Sequence, residues 1–199
     1  MNAPRPELHA LVLAAGSARR FGSLKQQQQI EGEALLLRVA RRAGAAVDHT
    51  AVVLGAHAET LAALVAEEPF TLHVNPRWAE GLASSIRTGI AALPRSCAGA
   101  MVVLADQAAI GAAQYAQLAA LWREAPDSIA AAYYGGSAGA PAIFPRRLFG
   151  ALLALEGDVG ARGVLRAHAS DLITLAMPSA ALDLDTPEDL SACLSYRPP

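Results

Sequence analysis

One lysine, Lys25, stands among sixteen basic side chains; the other fifteen are arginines. A lysine kept where arginine fills every other basic position suits a task that a planar guanidinium does poorly, such as presenting a compact point charge to a phosphate. The alternative is chance survival in an arginine-biased chain. Lys25 closes the segment Leu13-Ala14-Ala15-Gly16-Ser17-Ala18-Arg19-Arg20-Phe21-Gly22-Ser23-Leu24-Lys25, which follows an apolar run. Small residues after a strand let backbone N–H groups approach an anion closely. Arg20 and Lys25 would add two cations of different shape. The spacing is not that of a P-loop, where lysine directly follows the second glycine, and it is not G-x-G-x-x-G. A plain glycine-bearing turn with solvated arginines is the bland alternative.

The elements that would position this loop follow from hydrophobic periodicity. Residues 9–14, 50–54, 70–74 and 100–105 are short apolar runs of the kind that form buried parallel strands. Residues 35–46, 58–67, 82–93 and 115–123 carry apolar side chains at helical spacing. Strand and helix alternate through the first two-thirds of the chain. That predicts an α/β fold of three layers: an open, mostly parallel twisted sheet with helices on both faces. The last third is less regular. It offers strands at 129–134, 142–144, 172–176 and 182–184, and helices at 146–155 and 187–194, the last opened by Pro187. In such a sheet ligands bind outside the carboxyl ends of the strands. Residues 15–25, 75–85, 106–107, 135–141 and 157–162 should therefore converge on one crevice.

Composition sets outer bounds. The chain has 199 residues, 53% hydrophobic and 17% charged, which excludes disorder and fits a single domain. A formal net charge of -2 leaves no electrostatic footprint for nucleic acid or an anionic membrane surface. No apolar run approaches the ~20 residues of a membrane span. The first nine residues carry Pro4, Pro6 and Glu7 and do not resemble a secretory signal, so a cytoplasmic location is expected. Cys97 and Cys193 are too few for a disulfide framework or a zinc cluster. His9, His49, His57, His73 and His168 are scattered, so no histidine metal cluster is expected.

The pattern A-A-G followed by R-x-G-x-x-K resembles the nucleotidyltransferases of the molybdenum cofactor family, and more widely the sugar-phosphate and cytidylyl transferases of the nucleotide-diphospho-sugar, GT-A-like fold. Further segments extend the resemblance over nearly the whole chain. They are Asn75-Pro76-Arg77-Trp78-Ala79-Glu80-Gly81 with Ser84 and Ser85, Leu104-Ala105-Asp106-Gln107, Gly139-Ala140-Pro141 with Phe144, Leu155-Glu156-Gly157-Asp158-Val159-Gly160-Ala161-Arg162, and Asp183-Leu184-Asp185-Thr186-Pro187-Glu188-Asp189-Leu190. The similarity points to the branch that transfers CMP to molybdopterin, because Ala15 stands where the guanylyl branch usually has glycine. By resemblance, residues up to about 110 mainly serve the nucleoside triphosphate, and residues 111–199 mainly serve the acceptor.

The resemblance implies roles residue by residue. Leu13, Ala14, Ala15, Gly16 and Gly22 would cradle the triphosphate. Arg20 would hold its β and γ groups, and Lys25 would neutralise charge at the α-phosphorus. Asn75, Gly81, Ser84 and Ser85 would bind the nucleotide, although serines at a helix start are also caps. Gly139, Pro141, Asp158 and Arg162 would meet the acceptor; Asp158 is also placed to cap the helix that follows it. Asp106, directly after a buried strand, would hold Mg2+ on a rigid element, or cap a helix. Asp185 would be the second metal ligand, but Asp185-Thr186-Pro187-Glu188 is also a helix-start signal. Trp78 fits a packed loop anchor. The implied substrates are CTP and molybdopterin or the molybdenum cofactor, with a molybdenum hydroxylase as client. A methyl on Ala15 would narrow the base slot and favour cytosine over guanine. The chain departs from the family at Ala34, Gln27, Gln28, Ala108 and Ala140, and the last of these bears on the acceptor side.

Overall fold

Even-numbered and odd-numbered residues of the first strand, β1 (Leu8–Ala14), enter different cores. Leu8, Ala10, Val12 and Ala14 pack on one face of the sheet; Leu11 and Leu13 pack on the other. This is the period-2 alternation of a strand buried on both sides. The computed structural model describes residues 5–16, 24–184, 186 and 189. After β1 come a 3-10 turn at Lys25–Gln27 and a two-residue hairpin of β2 (Gln29–Ile30) and β3 (Glu33–Ala34), then helix α1 (Leu35–Gly44). Glu31 and Gly32 form the hairpin turn with φ of 53° and 83°, the left-handed pair that a two-residue connection requires. Next are β4 (His49–Leu54), α2 (Ala58–Leu64), β5 (Thr71–Val74), a 3-10 turn at Trp78–Glu80, α3 (Leu82–Ala91), β6 (Gly99–Leu104) and α4 (Ala112–Glu124). The last described elements are β7 (Ile129–Tyr134), β8 (Ser137–Pro145), α5 (Phe149–Leu153), α6 (Arg162–Ala167), β9 (Leu172–Ala176) and a 3-10 turn at Pro178–Ala181.

One seven-stranded sheet runs in the order β5-β4-β1-β6-β8-β7-β9. Every neighbouring pair is parallel except those made by β8, which is antiparallel to β6 and β7. Helices α1 and α4 cover one face through Leu36, Val39, Tyr115 and Trp122. Helices α3, α5 and α6 cover the other through Ile86, Ile90, Leu152 and Leu165. The three-layer α/β architecture expected from strand–helix alternation is present.

The differences lie in the last third. Residues 182–184 are not a strand; they leave the 3-10 turn at Pro178–Ala181 and pair instead through Leu184 N–H, which donates to the Asp106 carbonyl at 2.9 Å. The short strand expected at 142–144 is the end of a nine-residue strand, β8, folded back from β7 across Gly135 and Gly136. The helix expected over 146–155 opens as a 3-10 turn and is helical only at Phe149–Leu153. Helix α6 was not expected: with Val164 and Leu165 as its buried residues, it offers little periodicity. The final helix at 187–194 lies outside the described residues apart from Asp189.

Candidate active site

The carboxyl ends of β1 and β6 lie side by side, because Leu13 and Leu104 are register partners. Each strand delivers one part of the site. Beyond β1, Ala15 is buried and Gly16 exposed, and a Cβ on Gly16 would meet nothing within 4 Å among the described residues. Beyond β6 stands Asp106. Lys25, returning from the loop, places its Nζ 2.8 Å from Asp106 Oδ2. Both side chains are mostly buried, 14% and 24% exposed. Asp106 Oδ1 is buried and has no hydrogen-bond partner among the described residues. A mostly buried carboxylate with one oxygen unpaired is a hard-oxygen donor of the type a divalent cation takes. Arg20 and Gly22 lie outside the described residues.

The turn that carries Asp106 is held from three directions. Gln107 is 1% exposed; its Nε2 donates to the Ala140 carbonyl at 3.1 Å and to the Ala180 carbonyl at 2.9 Å. Arg42 on α1 donates Nη1 to the Ala108 and Ile110 carbonyls at 3.0 and 2.9 Å. Leu184 N–H closes on the Asp106 backbone carbonyl and ties residues 182–184 to the turn. Asp185 lies outside the described residues. The helix-start signal beside it belongs to Thr186 and Asp189. Asp189 Oδ2 accepts from Thr186 N–H at 2.7 Å and from its hydroxyl at 3.0 Å, the return half of a capping box. On the β1 side, buried Gln26 donates Nε2 to the Gly16 carbonyl at 3.2 Å and pins the start of the loop. Sequence reasoning missed the positioning work of Gln26, Arg42 and Gln107. Gln107 sits inside a recognised motif, whereas the contacts of Gln26 and Arg42 leave no trace in spacing.

Several expected ligand contacts are built into the scaffold. Asn75 is 1% exposed and its Nδ2 donates to Ser84 Oγ at 2.8 Å and Ser85 Oγ at 3.1 Å, while Oδ1 accepts from Arg77 N–H. Ser84 donates its hydroxyl to the Gly81 carbonyl at 2.8 Å. These three side chains lock the 75–85 segment onto the start of α3. Gly81 has φ of +103°, and a Cβ there would lie 2.7 Å from backbone atoms of Gly157 and Asp158. Asp158 Oδ1 accepts from Leu82 N–H at 3.3 Å, and the Gly157 carbonyl accepts from Ala83 N–H at 3.2 Å. Asp158 thus caps α3 and not the helix that follows it in sequence. The two loops at 75–85 and 157–162 do meet, as the sheet rule requires.

The base-slot account of Ala15 is not met. A Cβ on Gly55 would lie 2.8 Å from Ala15 Cβ and 2.6 Å from Trp78 Cβ, so the Ala15 methyl abuts Gly55 and is turned away from open space. Trp78 packs on the same glycine, as a loop anchor. On the far side, Pro141 and Gly139 are buried in β8, and Gly139 lies against the Tyr134 ring, which a Cβ would strike. Between β1, β6, β8, α3 and α6 is a largely apolar cavity of about 260 Å³, lined among others by Leu13, Leu82, Leu104, Ala140 and Ala142, with exposed Arg162 on its wall. No helix among the described residues is long and apolar enough to cross a membrane.

The chain is 31% identical to the purine catabolism protein PucB of Bacillus subtilis over 196 residues, covering 92% of this chain and 94% of that one. It is 30% identical to nicotine blue oxidoreductase of Paenarthrobacter nicotinovorans over 197 residues, 93% and 95% of the two chains. Among solved structures, Rv0371c of Mycobacterium tuberculosis superposes with a TM-score of 0.82 at 25% identity, over 96% of this chain and all of that one. A manganese complex of Rv0371c shares the fold with a TM-score of 0.79 at 24% identity. Residues 10–172 match the family model of the MobA-like NTP transferase domain, and the chain belongs to that family.

Proposed function

We propose that this protein is a cytidylyltransferase that moves CMP from CTP to the phosphate of molybdopterin or the molybdenum cofactor and releases pyrophosphate. The observation that carries the reading is the Lys25–Asp106 contact at the carboxyl ends of β1 and β6, with Asp106 Oδ1 unpaired among the described residues. An acceptor phosphate oxygen attacks the α-phosphorus in line, and the bond to the bridging oxygen of pyrophosphate breaks. Such a reaction asks the protein for position and charge, with little covalent work. Lys25 meets the α-phosphoryl charge, Arg20 holds the β and γ groups, and the backbone from Leu13 to Gly16, with Gly22, encloses the phosphates. Asn75, Gly81, Ser84 and Ser85 shape the nucleotide side. Ser85 Oγ accepts from Asn75 and keeps its own O–H to donate toward a base acceptor. Asp106, with Asp185, would hold Mg2+, which neutralises charge shared between the phosphates.

The acceptor side is assigned to Gly139, Pro141, Asp158 and Arg162. Gly139 and Pro141 shape the wall, Asp158 fixes the loop, and Arg162 presents a cation at an apolar cavity that suits a flat heterocycle carrying a phosphate. On this reading residues up to about 110 serve CTP and residues 111–199 the acceptor, in the cytoplasm, with a molybdenum hydroxylase as client. Pyrophosphate release with each of the four nucleoside triphosphates, with and without molybdopterin, tests the proposal. Release with CTP that depends on molybdopterin supports it. Release with another triphosphate or only with a sugar phosphate overturns the assignment within the family.

A further inference from the structure

At the opposite end of the sheet three metal-ligating side chains come together that sequence spacing keeps apart. His9 on β1 and His49 on β4 are register partners in the parallel pair. Their side chains therefore stand next to each other on one face, with ring centroids 4.7 Å apart. Glu7 precedes His9 by two residues, which puts it on the same face. Its Oε1 lies 2.6 Å from His9 Nε2 and 3.8 Å from His49 Nε2, and the three candidate donor atoms all lie within 4.8 Å of one another. Four residues of β1, about 13 Å of strand, separate this cluster from Leu13 at the active-site end. The expectation that scattered histidines leave no cluster is corrected here, because parallel pairing brings residues 9 and 49 into register.

We propose that Glu7, His9 and His49 form a second cation site, for a borderline-soft transition-metal dication of the Zn2+ type, at the amino end of the sheet. The donor set is two imidazole nitrogens and one carboxylate oxygen, which selects Zn2+, Ni2+ or Cu2+ over Mg2+. A tetrahedral ion with bonds of about 2.0–2.2 Å needs its ligand atoms about 3.3 Å apart, so Glu7 and His9 would part from 2.6 Å and His49 would close on Glu7 from 3.8 Å. The adjustable member is His49, whose side chain is 65% exposed, whereas His9 is 10% exposed and fixed in the sheet. Without an ion, Glu7 bonds to His9 and leaves His49 beyond hydrogen-bond reach. A dication satisfies all three donors and leaves a fourth position open to solvent. Its consequence would be a clasp joining the starts of β1 and β4, separate from the transferase site.

The test uses the full-length, metal-stripped protein at neutral pH, titrated with Zn2+ in millimolar Mg2+ so that the Asp106 site is occupied. The expected result is one Zn2+ bound with a dissociation constant of about 10 µM or tighter, together with a rise in melting temperature that Mg2+ alone does not give. His49→Ala and Glu7→Gln should melt like the parent without zinc, and each should weaken zinc binding about tenfold or more. Co2+ in place of zinc should give tetrahedral visible absorption in the parent and not in the variants. Absence of Mg2+-resistant zinc binding overturns the proposal, as does binding that neither variant weakens.

Discussion

Lys25→Ala removes the cation from an ion pair that bridges the β1 loop and the β6 turn. Two effects follow, and they separate. The first is structural. Asp106 already has one oxygen without a partner among the described residues, and truncation removes the 2.8 Å contact to the other. Removing one partner of a partly buried charged pair costs about 1–3 kcal/mol. For a chain of this size that lowers the melting temperature by about 2–12 °C. The second effect is catalytic. Loss of a charge aimed at the transition state costs about 10²–10³-fold in turnover, about 2.7–4 kcal/mol. Lys25→Arg restores the charge and so most of the stability. It should not restore the rate, because a planar fork cannot occupy the place of a point charge against both carboxylate and phosphate. The assays are a thermal melt of each variant without nucleotide, and pyrophosphate release at saturating CTP and acceptor. If both variants turn over within about threefold of the parent, the catalytic assignment fails. If Arg rescues melt and rate together, Lys25 is a structural cation only.

Asp106→Asn should keep the fold and lose turnover at every Mg2+ concentration; near-normal activity per folded molecule would make the carboxylate structural. Ala15→Gly should leave the CTP-to-GTP ratio of kcat/KM within about threefold of the parent, because the methyl faces Gly55; a collapse of that ratio would put the methyl back in the base slot. Gly81→Ala forces φ of +103° on a residue with a Cβ and drives that atom against the Gly157–Asp158 backbone. A loss of about 2–4 kcal/mol in a denaturant melt is expected, with a raised KM for the acceptor; a melt unchanged from the parent would show that the two loops do not depend on each other.

Strand–helix alternation made the α/β fold legible, since buried parallel strands carry a continuous apolar run that few other elements share. The lone lysine and the aspartate after the fourth apolar run were legible too, because a residue type against the background or directly after a strand is a local signal. What the sequence left open depends on which distant residues become neighbours. The end of the antiparallel β8 is buried on both faces and so shows no alternation, and α6 is only six residues long. Spacing does not show that Asn75, Ser84 and Ser85 are bonded to one another beneath the start of α3. Asp158 caps α3, about seventy-five positions away, because the 157–158 loop docks where Gly81 leaves room. Residue type alone does not show that the Ala15 methyl lies against Gly55. His9 and His49, forty residues apart in sequence, meet only because β1 and β4 pair in parallel register. Local chemistry is written in residue types and short spacings; contacts between strands are decided by register, which only the folded sheet defines.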